Sequence, residues 1–364
     1  MGVGEYMARI AHIISHPIIY NTPLYRLMAK HYEFEVWYDV DTSGGYFDAG
    51  FDRVVQWGDS LREGYRHRFL STLDMLRRIS RREVDAVWVH GYASPRHLAV
   101  IAAAKRAGAK VWIRGETHLG LGTSWYKPPI LRKLFQAVDV CLYIGSMNRA
   151  FYEHHGVPKD KLVFMPYCVD NEWWMAGGMA SPRELFVLYV GKLLPEKGID
   201  RLLKVAAAMP DALFMIAGDG PVSVKGENIM KLGFQTPEQL RELYSRASLL
   251  IVPSKREPYG LVVNEALCCG CPVLASGAVA SAMDFRVGCW MHTYKYDMAL
   301  PWPSERKFVK KVNFNERETQ SWVKAVNDML AAKWDHKLIR EQMYGWSYQQ
   351  DLEGIREAVK RCCL

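Results

Sequence analysis

The residues best suited to chemistry lie in one run, Ala247 to Ser276, ASLLIVPSKREPYGLVVNEALCCGCPVLAS. Its apolar start reads as a buried strand ending at Val252. A polar loop then holds Ser254, Lys255, Arg256 and Glu257, and Gly260 permits an abrupt turn into a helix. The first amides of a helix lack an internal partner, and the aligned peptide dipoles favour an anion there. The amides of Tyr259, Gly260, Leu261 and Val262 therefore suit a diphosphate. Glu257, in the loop, can accept hydrogen bonds from sugar hydroxyls. Glu265, eight residues later, lies inside the helix and can reach a ribose from there. The plain alternative is two surface acids. Leu261, Val262, Val263, Ala266 and Leu267 imply a largely buried helix instead, and a buried glutamate requires a partner.

Four other places carry residues of interest. Val190 to Leu203, VGKLLPEKGIDRLL, places Lys192 and Lys197 in a loop, where two lysines taken alone read as solvated. Val111 to Gly120, VWIRGETHLG, ends a strand and presents Arg114, Glu116 and His118; His90 closes the strand before it. A lone histidine is more often structural than catalytic, and Arg114 is a candidate to hold an acceptor or a donor phosphate. The first loop, His16 to Pro23, places Thr22 as a cap for a helix beginning at Pro23, whose start is a further candidate contact. Asp39-Val40-Asp41 has the Asp-x-Asp form of some metal sites but lacks the surrounding architecture.

These loops need a scaffold, and the hydrophobic pattern supplies it. Ala8–Ser15 and Glu33–Val40 read as strands, with a helix over Leu24–His31 between them. Asp85–His90, Pro95–Ala107 and Lys110–Arg114 form a strand–helix–strand unit, and Val138–Ile144 another strand. Near Asn171 to Pro182 the chain turns linker-like. A second alternating series comes next: strand Leu185–Val190, helix Asp200–Met209, strand Leu213–Ala217, helix Pro237–Ala247, strand Leu249–Val252, helix Gly260–Cys269 and strand Pro272–Ala275. The alternation predicts parallel sheets covered on both faces. Two doubly wound halves predict a cleft, with ligands beyond the carboxyl ends of the strands. The boundaries expected are 1–172 for the first domain and 173–344 for the second, with a last helix near 345–364 completing the first.

On these residues the chain resembles the retaining glycosyltransferases of family 4, which have the GT-B fold of two Rossmann-like domains. Glu257 and Glu265 match that family's Glu-x7-Glu motif, and the small-residue turn and Pro272-Val273 after them match as well. Lys197-Gly198 matches a second motif; Lys192 stands where the family has arginine, keeping the charge but not the bidentate fork. The resemblance implies that Lys192 and Lys197 hold the donor diphosphate. It also implies that Gly233 and Phe234 lie near the nucleotide base and that His118 faces the donor sugar. Transfer would proceed without a metal or other cofactor, from a nucleotide-sugar co-substrate to a glycan or lipid-linked acceptor, as in the bacterial enzymes of cell-surface polysaccharide synthesis. A nucleotide-sugar epimerase of similar form, a non-catalytic nucleotide-sugar binding subunit and a nucleic-acid-modifying transferase are the competing readings. Nucleic acid is the least favoured partner.

Composition sets the remaining bounds. Of 364 residues, 49% are hydrophobic and 24% charged, which excludes wholesale disorder. No apolar run reaches the roughly 20 residues a bilayer span needs. Met1 to Ser15 lacks the signal-peptide pattern, and Tyr6 argues against myristoylation of Gly2. The eight cysteines are not spaced as a disulfide framework or a zinc site, so reduced thiols and a cytoplasmic location are expected. The net charge of +8 is unevenly placed. Leu61 to Glu83 carries Arg62, Arg66, Arg68, Arg77, Arg78, Arg81 and Arg82 among apolar residues and predicts a basic amphipathic helix. Such a helix is a solvated face, or a contact for the anionic headgroups of an inner membrane face or for a phosphorylated acceptor, with nucleic acid a remote alternative.

Overall fold

The computed structural model describes residues 7–41, 45–48, 53–55, 59–121, 127–180, 182–292 and 316–364. The chain divides into two compact units, one drawn from 1–46, 54–167 and 347–364, the other from 47–53 and 168–346.

The first unit contains β1 (Arg9–Ile14), α1 (Thr22–Met28) and β2 (Glu33–Tyr38). Next in the chain is a two-stranded pair, β3 (Tyr46–Asp48) and β4 (Arg53–Val55), of which 47–53 falls to the second unit. Then come β5 (Arg66–Phe69), α2 (Thr72–Ser80), β6 (Ala86–His90), α3 (Pro95–Ala107) and β7 (Lys110–Arg114). The series continues with α4 (Lys127–Ala137), β8 (Val140–Tyr143), α5 (Ser146–His154) and β9 (Leu162–Phe164). Seven strands form one parallel sheet in the order β5-β2-β1-β6-β7-β8-β9. Continuous apolar strands such as Ala86–Val89 reflect burial on both faces. Alternate residues serve opposite faces: Ile10, Phe34, Trp88 and Trp112 pack on one, and Ala11, Trp37, Val87 and Ile113 on the other.

The basic segment is not one helix. A 3-10 turn at Asp59–Arg62 is followed by the edge strand β5, and only Thr72–Ser80 is helical. Gly64 adopts φ +85, which ends the first turn, and the Ser71 hydroxyl caps α2 by accepting from Asp74 N. Arg68 and Arg78 are drawn to Glu35 of β2, at 2.7 and 3.3 Å.

The second unit contains α6 (Asn171–Met175), β10 (Glu184–Val190), α7 (Ile199–Ala207), β11 (Leu213–Ala217) and β12 (Ile229–Gly233). These are followed by α8 (Pro237–Arg246), β13 (Ala247–Val252), α9 (Leu261–Cys268), β14 (Val273–Ser276), β15 (Cys289–His292), α10 (Glu316–Ala331) and α11 (His336–Glu341). The six-stranded parallel sheet runs β12-β11-β10-β13-β14-β15, the Rossmann order with its reversal between β10 and β13. The last helix, α12 (Tyr348–Cys362), belongs to the first unit, where it packs on α1 and β9.

Among the described residues, no helix is long and apolar enough to cross a membrane.

Candidate functional site

In a sheet of this order the strand ends diverge where the winding reverses, and ligands bind beyond the carboxyl ends there. In the second unit that position is the pair of loops after β10 and β13. Gly198 joins them: it has φ +74, and a Cβ there would overlap the carbonyl oxygen of Pro253. Lys255 N and Arg256 N donate to Glu196 O, at 2.8 and 3.2 Å, closing the loops on one another.

This closure brings Lys197 and Glu257 together. Lys197 Nζ lies 2.7 Å from Glu257 Oε2, and Ser254 Oγ donates to the same oxygen at 3.3 Å. Their side chains are 24% and 12% exposed, so the pair is partly withdrawn from water. Behind it, Gly260 turns the chain into α9 with φ +97. A Cβ at Gly260 would stand 2.9 Å from Val279 Cγ1 and 3.2 Å from Glu257 Cγ. Ser281 donates through its backbone to Tyr259 O and through its hydroxyl to Gly260 O, both at 2.9 Å. Leu261 and Val262, half-buried, begin the helix at the same end of the sheet as Lys197.

Glu265 is buried within α9, and Tyr244 Oη donates to its Oε2 at 2.8 Å. Lys192 comes after β10, its carbonyl accepting from Tyr189 Oη at 2.9 Å. Gly233 ends β12, and Phe234 N donates to Asp219 Oδ2 at 2.9 Å. Asp219, in the Gly-Asp-Gly-Pro turn after β11, also pairs with Lys231 at 3.4 Å. Ser254, Ser276, Ser281 and Asp219 thus brace these loops. Ser276 does so by donating from its hydroxyl to Ser254 O; the sequence reading gave none of the four a chemical role.

The first unit holds the other candidates. His118 is buried at the start of the 3-10 turn Leu119–Leu121. Asn148 of α5 steadies that loop: its Nδ2 donates to Thr117 O at 2.7 Å, while its Oδ1 accepts from Ile144 N at 3.1 Å.

Two expectations are corrected here. Arg114 is the last residue of β7, as expected, but its guanidinium turns inward and is not presented to the loop. It donates to Met165 O, Pro166 O and Asp351 Oδ1 and stacks on Tyr167, 4.5 Å from the ring centre. Its Nη2 is thus engaged inside the unit, and the side chain is 1% exposed. Thr22 does not cap α1: Asn21 holds the cap position without a side-chain bond, and Thr22 Oγ1 donates to Leu61 O at 3.0 Å. Asp39 of the Asp-x-Asp run pairs with Arg96 and His97, each at 3.1 Å.

His90 ends β6 with Tyr167 Oη 2.7 Å from its Nε2, and Tyr167 donates to Glu116 Oε1 at 2.9 Å. Burial, then the neighbouring Arg114 and His97, lowers the His90 pKa to about 3, so the ring is neutral.

Residues 176–285 match the family model for glycosyl transferases group 1. The matched stretch lies in the second unit. It spans the lysine loop, the Gly-Asp-Gly-Pro turn and both glutamates. Among curated relatives, the D-inositol 3-phosphate glycosyltransferase of Mycobacterium sp. (strain KMS) is 33% identical over 183 residues, covering 42% of this chain and 40% of that protein. The alpha-galactosylglucosyldiacylglycerol synthase of Streptococcus pneumoniae is 25% identical over 228 residues, covering 53% and 60%. The chain therefore spans only part of the length of these relatives. Of solved structures, HepE of Anabaena in complex with UDP and glucose superposes with TM-score 0.67 at 12% identity, over 97% of this chain and 99% of that one. The lipopolysaccharide outer core galactosyltransferase WaaB gives 0.67 at 13%, over 96% and 98%. At such identity the likeness is one of fold. The fold is that of the GT-B glycosyltransferases, with two parallel α/β sheets.

Proposed function

We propose that this chain is a retaining, metal-independent glycosyltransferase of family 4. It moves a sugar from a nucleotide-diphosphate donor to a hydroxyl of a glycan or lipid-linked acceptor, in cell-surface polysaccharide synthesis. The observation that carries the reading is the Lys197–Glu257 pair at the reversal of the β12-β11-β10-β13-β14-β15 sheet, beside the start of α9. A cation and opening helix amides suit a diphosphate; a carboxylate beside them suits the hydroxyls of the attached sugar. The group 1 segment, the relatives' names and the UDP and glucose in the HepE structure support the same assignment.

In this reading Lys192, Lys197 and the amides of Leu261 and Val262 stabilise the departing diphosphate, a preorganised electrostatic contribution. Gly233 and Phe234 border the base, and Glu265 serves the ribose. Glu257 orients the sugar. The acceptor oxygen bonds to the anomeric carbon on the face the diphosphate leaves. The leaving phosphate oxygen takes the acceptor's proton, and His118 polarises a sugar hydroxyl. The protein works in the cytoplasm, with arginines of the first unit, among them the exposed Arg66, Arg81 and Arg82, meeting an anionic inner membrane face.

The test is calorimetric titration with UDP, GDP, ADP and dTDP, then a transfer assay with sugars of whichever nucleotide binds. One nucleotide should bind selectively, with Lys197→Ala weakening it at least about tenfold. Glu257→Ala should cut transfer at least about tenfold with the fold intact. A folded protein that binds none of the four would end this reading.

A further inference from the structure

We infer that the Lys197–Glu257 pair is an intramolecular competitor of the diphosphate, so that the site holds a bare nucleoside diphosphate less tightly than its two phosphate-binding elements alone would. The inference rests on the proposed donor site and goes beyond it, since that proposal gives Glu257 only the sugar. Lys197 is already engaged: its ammonium lies 2.7 Å from Glu257 Oε2. The carboxylate is mostly buried, and Ser254 Oγ also donates to that oxygen. A diphosphate that draws Lys197 toward itself leaves Glu257 short of its cation and beside a second anion. A partly buried carboxylate resists that exchange. A donor that still carries its sugar brings hydroxyl groups, which donate to Glu257 in place of the ammonium. The same carboxylate thus favours the intact donor and helps the product diphosphate depart. The contact needs no movement to arise, because Gly198 and the Glu196 carbonyl already hold the two loops together.

The experiment is a double-mutant cycle on the full chain, with inorganic pyrophosphate and UDP as probes at constant ionic strength. Wild type, Glu257→Gln, Lys197→Ala and the double variant are titrated calorimetrically, each with its fold confirmed by circular dichroism. Glutamine keeps the shape of Glu257 and removes its charge. The expected result is binding about fivefold tighter in Glu257→Gln, and a change of less than about twofold when the same substitution is made in the Lys197→Ala background. An equal gain in both backgrounds means through-space repulsion alone and overturns the competitor. Unchanged or weaker binding in Glu257→Gln, with Lys197→Ala still weakened, overturns it too while leaving the donor site standing. Affinities equal in all four proteins, or no binding in any, remove the donor-site reading itself, and the inference with it.

Discussion

Arg114→Leu separates two accounts of one residue. As a ligand contact, Arg114 would be dispensable to folding. The structure makes it part of the core: the side chain is 1% exposed, that of Asp351 2%, and the guanidinium also serves the carbonyls of Met165 and Pro166. Removing one member of a buried ion pair costs about 3–5 kcal/mol, because the other loses its counter-charge in a site withdrawn from water. Leucine restores much of the volume, so the cost is electrostatic rather than a cavity. For a unit of this size each kcal/mol moves the midpoint by about 2–4 °C, so the first unit should melt roughly 10 °C lower. Differential scanning calorimetry of the full chain reads this directly. Adding Asp351→Leu should recover part of the loss, since the stranded carboxylate is gone and only the two carbonyls remain short of a donor. A single variant melting within about 2 °C of wild type, with nucleotide or acceptor binding lost, would refute the argument and return Arg114 to the ligand.

Gly198→Ala should push the lysine loop off Pro253 and force an alanine to φ +74; nucleotide affinity should fall at least about tenfold and the second unit's melting temperature should drop, both readable in one calorimetric series. The two units should respond to pH in opposite directions. His90 is lowered to about 3, chiefly by burial, so between about 3 and the ordinary value of 6.5 the unfolded chain binds the proton and the folded chain does not; this contribution is lost as pH falls, by at most about 1.4 kcal/mol per unit. Glu318 of α10 is raised to about 7, again chiefly by burial, so its folded form holds a proton that the unfolded form has released, and its contribution is lost as pH rises from 4.5 to about 7. His90→Gln should flatten the first unit's profile on the acid side and Glu318→Gln should raise the second unit's stability above pH 7; scans from pH 4 to 8 with unchanged slopes would dismiss both assignments.

The parts of the fold legible in the sequence are those set by local features. The strands Lys110–Arg114 and Leu213–Ala217 and the helix Pro95–Ala107 could be read because a buried parallel strand is a short apolar run and a covering helix has its own period. The segment 61–83 misled because its arginines and apolar residues fit a helical stripe. The strand Arg66–Phe69 is decided by Glu35 on the neighbouring β2, which no window around residue 66 contains. Thr22 misled in the same way: a threonine before proline is a good cap in isolation, yet Leu61 O is a better partner for its hydroxyl in the folded unit.

The site divides along the same line. Glu257 could be picked out because it stands in a polar loop between a buried strand and a buried helix, and Lys197 because Lys197-Gly198 resembles a family motif; Gly198 and Gly260 are needed where backbones meet. Their contact is a product of strand order: β10 and β13 are neighbours only because the winding reverses between them, and the two residues lie 60 positions apart in the chain. Arg114 shows the converse. Its type and its place at a strand end are those of a ligand-binding residue, and what removes it from that role is Asp351, on a helix that returns to the first sheet from the far end of the chain. In the first sheet the counter-charge to Arg114 is thus brought by α12, from outside the sheet's own loops. In the second sheet the counter-charge to Lys197 is brought by the adjacent strand's own loop, at the reversal where a ligand would bind. In the proposed reading, that placement lets a phosphate and a sugar divide the pair between them.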